Sequence, residues 1–116
     1  MVRFAVDLTI NPKEFDRFEG LVQAMIAGSQ NEPGTLGYDW FVSGDRHRCR
    51  LIETCADANA VLAHLTGPVV QELVPKLRTI ASVDGFEVYG DPGPKAAGML
   101  AGAGAEIFTL WRGLAR

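Results

Sequence analysis

EPGTLGYDWFVSGDRHRCRLIETCADANAVLAHL, residues 32–65, holds a turn, two strands and the start of a helix in one uninterrupted run. Pro33-Gly34 marks a turn before a strand. From Thr35 to Ser43, Leu36, Tyr38, Trp40 and Val42 alternate with Gly37, Asp39 and Phe41. Period-two alternation puts the first set on the covered face of a sheet. Ser43-Gly44-Asp45 supplies a hairpin turn, with Gly44 free to take positive φ. The return strand runs from about His47 to Cys55. Cys49, Leu51, Glu53 and Cys55 share one face; Arg48, Arg50, Ile52 and Thr54 share the other. Asp57 then caps a helix carrying Val61, Leu62 and Leu65, with His64 at its edge. One hairpin and one helix thus bring two aromatics, a carboxylate and an imidazole into one neighbourhood.

Outward from this stretch, Val2 to Ile10 alternates Phe4, Val6, Leu8 and Ile10 against Arg3, Ala5, Asp7 and Thr9, a half-buried strand. Asn11-Pro12-Lys13-Glu14 reads as a helix start, with Asn as cap, Pro at the first helical position and Glu completing a capping-box-like pair. Phe15, Phe18, Leu21, Val22, Met25 and Ile26 form its apolar stripe, ending near Gly28. Beyond the second helix, Thr66-Gly67-Pro68 interrupts. A further helical piece carries Val69, Val70, Leu73, Val74 and Leu77, and Pro75 kinks or ends a turn there. Thr79 to Gly90 is the last strand.

The order β-α-β-β-α-β is the ferredoxin-like split βαβ unit, an α+β fold with an antiparallel sheet. Helices cover one face of such a sheet. Ala5, Gly37, Phe41 and Ile52 keep the other only partly polar, and a second copy packed face to face, a homodimer, covers it economically. This assigns residues 1–90 to one domain and 91–116 to a C-terminal extension. The extension opens with the linker Asp91-Pro92-Gly93-Pro94, continues as an Ala- and Gly-rich weak helix, and ends in EIFTLWRGLAR. Phe108, Leu110, Trp111 and Leu114 make it apolar enough to dock on its own domain or cross to a partner subunit.

Bulk properties limit the function classes. The chain has 116 residues, 47% hydrophobic and 22% charged, with a net charge of −3, so one soluble globular domain is expected. Its cations are scattered except for Arg46, Arg48 and Arg50, which argues against nucleic acid as a partner. No apolar run reaches a membrane-spanning length and no signal-peptide pattern opens the chain. Cys49 and Cys55 lie about 20 Å apart along one strand, at roughly 3.3 Å per residue, too far to bridge. Free thiols point to a cytoplasmic location.

The chemistry-bearing residues are few. No phosphate loop, dinucleotide fingerprint or G-x-S-x-G elbow is present, and two histidines and two cysteines give no metal-site spacing. His64 is the candidate catalytic residue, since its ordinary pKa suits proton transfer near neutrality; the other reading is a structural histidine on a backbone carbonyl at the sheet edge. Tyr38 and Trp40 either wall a pocket for a flat aromatic or fill core. Glu53 interrupts an apolar phase and needs a cation or donors; an ion pair with an Arg across the sheet is expected. A pocket is placed between the sheet and the helix starting at Asp57, bounded by Tyr38, Trp40, Glu53 and His64.

The Glu-Pro-Gly turn, the Leu36-Gly37-Tyr38 strand, the strand through Glu53, the acidic step at Asp57 and Ala63-His64-Leu65 resemble the antibiotic biosynthesis monooxygenase family, over roughly residues 2–90. That resemblance implies a dimeric α+β barrel and oxygenation of a quinol or polyphenolic small molecule with no cofactor. The Asn-plus-Trp constellation of anthrone oxygenases and haem-degrading relatives is not matched: Asn59 lies on the right helix, but no Trp follows it there. The alternative function is a non-catalytic small-ligand-binding or stress-associated dimeric barrel.

Overall fold

The computed structural model describes residues Met1–Arg116. Its elements are β1 (Val2–Ile10), a 3-10 turn (Pro12–Glu14), α1 (Phe15–Ser29), β2 (Thr35–Val42), β3 (Arg48–Cys55), α2 (Ala58–Thr66), a π-helical turn (Val69–Leu73), α3 (Val74–Leu77), β4 (Ala81–Tyr89), α4 (Pro94–Gly102) and β5 (Glu106–Phe108). The sheet order is β2-β3-β1-β4-β5. The first four strands pair antiparallel, as the ferredoxin-like unit requires. The expected all-antiparallel sheet is corrected at one edge, because β5 pairs parallel to β4, Glu106 opposite Glu87 and Phe108 opposite Tyr89. A parallel neighbour needs a crossover, and α4 is that crossover.

Alternation along β1 organises the core. Val2, Phe4, Val6, Leu8 and Ile10 are all buried. Val6, Leu8 and Ile10 pack with Phe18 and Met25 of α1 and with Val69 and Leu77 of the segment after α2. Val2 and Phe4 pack with Val61 and Leu65 of α2 and with Ala96 and Leu100 of α4. The extension therefore closes one end of the domain's own core. Its linker turns at Gly93 (φ 82°), where an added Cβ would lie 3.2 Å from that of Ala58.

Local details depart from the pattern for identifiable reasons. Asn11 caps the 3-10 turn by accepting from the Lys13 amide, while Glu14 pairs with Arg17 instead of closing a capping box. The left-handed residue of the hairpin is Arg46 (φ 62°), not Gly44. The Arg46 amide donates to the Ser43 carbonyl, a type I turn, and the residue ending such a turn takes the left-handed position. Leu36 does not join Tyr38 and Trp40: the register shifts between Thr35 and Gly37, and Leu36 is left 60% exposed. Pro75 has no N–H to give the Gln71 carbonyl, and the helix widens into the π turn just before it.

The second sheet face carries the Arg50–Asp7 ion pair at 2.8 Å, partly buried Ala5 and Ile52, and exposed Phe41. At its β5 edge Phe108 stacks on Tyr89, ring centroids 5.5 Å apart. Residues 109–116 form no regular element, and Leu110, Trp111 and Leu114 stand about 80% exposed within one chain. No helix is long and apolar enough to cross a membrane.

Candidate active site

Three elements deliver three side chains to one point. Asp57 caps α2 by accepting from the Ala60 amide, and the helix phase that buries Val61 and Leu65 also buries His64, 2% exposed. Glu53 lies on the covered face of β3 between Leu51 and Cys55. Glu32 sits in the turn after α1, where Thr35 Oγ1 donates to its Oε1 at 2.9 Å. That turn lies hard against α2: a Cβ on Gly34 would come within 2.4 Å of the Ala60 Cβ, so only glycine permits the approach.

His64 bridges the two carboxylates. Its Nδ1 is 2.6 Å from Glu32 Oε1 and its Nε2 is 2.7 Å from Glu53 Oε1. Burial opposes charge on the ring, but the hydrogen bond and charge of Glu53, and then those of Glu32, outweigh it and push the imidazole up to about 9. The ring is thus an imidazolium at neutral pH, donating from both nitrogens and keeping no free lone pair for a substrate proton. The anticipated Arg partner of Glu53 is replaced by His64. Arg50, on the adjacent phase of β3, points to the other face and pairs with Asp7.

A cavity of about 240 Å³ opens beside this bridge, between the sheet and the helices, and most of its lining residues are apolar. Tyr38, Trp40, Glu53 and His64 all line it. Tyr38 meets His64 edge-on at 5.8 Å and Trp40 at 5.7 Å. Burial first, then the charges of Glu53 and Glu32, hold the Tyr38 phenol above its ordinary range, so it remains a neutral hydroxyl. Burial likewise raises the thiols of Cys49 and Cys55 to about 11 and about 12, so neither supplies a thiolate near neutrality. No group of three or more His, Cys, Asp or Glu side chains is arranged to hold a metal ion.

Sequence reading missed Glu32, although it heads the decisive stretch. The available signal was a carboxylate beside a Pro-Gly turn leading into the strand that pairs with Glu53. It read a weak helix in the extension, as α4 is, but missed that its Met99, Leu100 and the following Ala103 complete the cavity wall. The Ala/Gly-rich composition gave no sign of that packing.

A family model described as antibiotic biosynthesis monooxygenase matches residues 1–76. The chain belongs to that family. Among solved structures, MupZ from Pseudomonas fluorescens is similar at 26% identity and a TM-score of 0.82, covering 99% of this chain and 93% of that one. An antibiotic biosynthesis monooxygenase is similar at 26% identity and a TM-score of 0.68, over 81% of this chain and all of the other. Rv0793 from Mycobacterium tuberculosis, at 21% identity and a TM-score of 0.69 over 78% of this chain and 93% of that one, shares the fold. No curated protein matches the chain by sequence. Of these three structures, MupZ is the one whose match spans the C-terminal extension as well as the family domain.

Proposed function

We propose that this family member is a monooxygenase acting on a quinol or polyphenolic aromatic, with dioxygen as co-substrate and no bound cofactor. The observation that carries the reading is the Glu53–His64–Glu32 bridge at the edge of an apolar, aromatic-walled cavity. Glu53 accepts the proton of a bound aromatic hydroxyl. His64, a positioning residue, keeps the Glu53 carboxylate oriented, and its charge stabilises the new aryloxide. The aryloxide passes one electron to dioxygen, the resulting radical pair joins in a C–O bond, and protonation gives a hydroperoxide. Loss of water from it leaves a ring carbonyl, so hydroxyarene and dioxygen become quinone and water.

Oxygen uptake by metal-free protein against a panel of quinols tests this. With a quinol that is turned over, Glu53→Gln, which still accepts from His64, is expected to lower kcat by about 10²-fold while binding changes little. Wild-type protein that binds quinols but consumes no oxygen would leave a ligand-binding barrel instead.

The chain is further proposed to act as a homodimer through its helix-free sheet face. Phe41 and the Tyr89–Phe108 stack stand exposed there, and Leu110, Trp111 and Leu114 lack cover within one chain. The proposed dimer lays this tail on the partner subunit. Sedimentation at micromolar concentration is expected to give a dimer, weakened by Trp111→Ala; a monomer would contradict this arrangement.

A further inference from the structure

The residues lining the cavity sort by exposure into a floor and a mouth. Phe4, Leu8, Leu51, Glu53 and His64 are buried, whereas Gln71, Arg78, Met99 and Ala103 are exposed. The mouth therefore lies between the segment following α2 and helix α4. Its two sides differ in kind. Met99 and Ala103 offer apolar surface. Across from them, Gln71 spends its Nε2 on the Leu65 carbonyl at 2.8 Å.

Arg78 is the one cationic side chain at the mouth. It is the only Lys or Arg lining the cavity, and it makes none of the chain's ion pairs. Most of the chain's cations are likewise outside any ion pair; what sets Arg78 apart is its place at the mouth of an apolar cavity. The floor has the opposite character: Glu53 lines it beside His64, with Glu32 on the far side of the ring and outside the lining. The floor thus offers a carboxylate acceptor that suits a hydroxyl donor and disfavours a second carboxylate. A ligand with one anionic end can therefore enter in a single orientation.

We propose that the molecule taken by this cavity is an aromatic bearing both a hydroxyl and a carboxylate, the hydroxyl reaching Glu53 and the carboxylate held at the mouth by Arg78. The proposal rests on the oxygenase reading for the hydroxyl end and adds the charged end. A planar guanidinium fork suits a carboxylate because two parallel N–H donors meet two oxygens, which a single ammonium does not match. The apolar body lies between the sheet and α4. Arg78 then sets specificity and binding direction and takes no part in proton transfer.

Calorimetric titration of the full chain with 6-hydroxy-2-naphthoic acid and with its neutral amide, 6-hydroxy-2-naphthamide, is the test. The acid is expected to bind about 2- to 5-fold more tightly, the range of an exposed charge pair. Added salt should shrink that preference. Arg78→Gln should abolish it with no change in melting temperature, since Arg78 is exposed; Arg78→Lys should restore part of it. Equal affinity for acid and amide, a preference that survives Arg78→Gln, or no binding of either probe would each overturn the proposal. Because the readout is binding, a carboxylate preference without oxygen uptake removes the oxygenase reading alone. Oxygen uptake on neutral quinols without a charge preference removes this inference alone.

Discussion

His64→Ala is expected to destabilise the protein by about 3–5 kcal/mol, the usual cost of taking one partner from a buried ion pair. The cause is what remains. Glu32 and Glu53, with side chains 13% and 6% exposed, would face each other across an emptied site with no cation between them. The same alanine placed in a Glu32→Gln/Glu53→Gln background strands only amides and should cost about 1–2 kcal/mol. Denaturant midpoints of the four proteins measure the difference. Equal costs in the two backgrounds would show that His64 contributes through packing alone.

The same bridge fixes a pH dependence. The folded protein holds the His64 ring at about 9, against roughly 6.5 for an unfolded histidine. The stabilisation is complete below about pH 6.5 and is lost as pH rises through about 9, where folded and unfolded rings are both neutral. The His64 ring should therefore lower wild-type stability by roughly 3 kcal/mol across that window. His64→Ala should remove that part, leaving the further fall above about pH 8.5 that the raised thiols of Cys49 and Cys55 add. A wild-type profile with no decline between about pH 6.5 and 8.5 would mean that the ring is not held protonated in the folded state.

How much of this was legible in the sequence follows from what each feature depends on. The β1 alternation and the Asp57 cap are local, and both are realised as read. Glu53 stood out because a carboxylate in an apolar phase cannot remain unpaired, and that need was met. The identity of its partner was not local. An Arg across the sheet was the natural guess, but strand alternation sends Arg50 to the far face, and the azimuth of α2 brings His64 instead. Glu32 escaped notice because a turn residue's direction is set by tertiary closure, here the approach of Gly34 to Ala60. Strand β5, at three residues, is too short to show a period. It exists because β4 offers an unpaired edge and α4 returns the chain to it.

That last dependence makes the extension the other large effect. Deleting residues 94–116 is expected to lower the melting temperature by about 10 °C or more, since about 1 kcal/mol corresponds to several degrees in a domain of this size. Leu100 and Ala96 are each 1% exposed against the cluster of Val2, Val61 and Val88. Losing one buried leucine alone costs about 2–5 kcal/mol. The deletion also uncovers the valines beneath and reopens the β4 edge now paired with β5. Met99, Leu100 and Ala103 leave the cavity wall together, so ligand affinity should fall with stability. Removing residues 109–116 alone takes none of these contacts, and its effect should appear in association, diminishing as the protein is diluted. Melting of the 94–116 deletion should stay low at every concentration. If the two truncated proteins melt alike in dilute solution, α4 is not part of the core, and the cavity wall it forms cannot be holding a ligand in place.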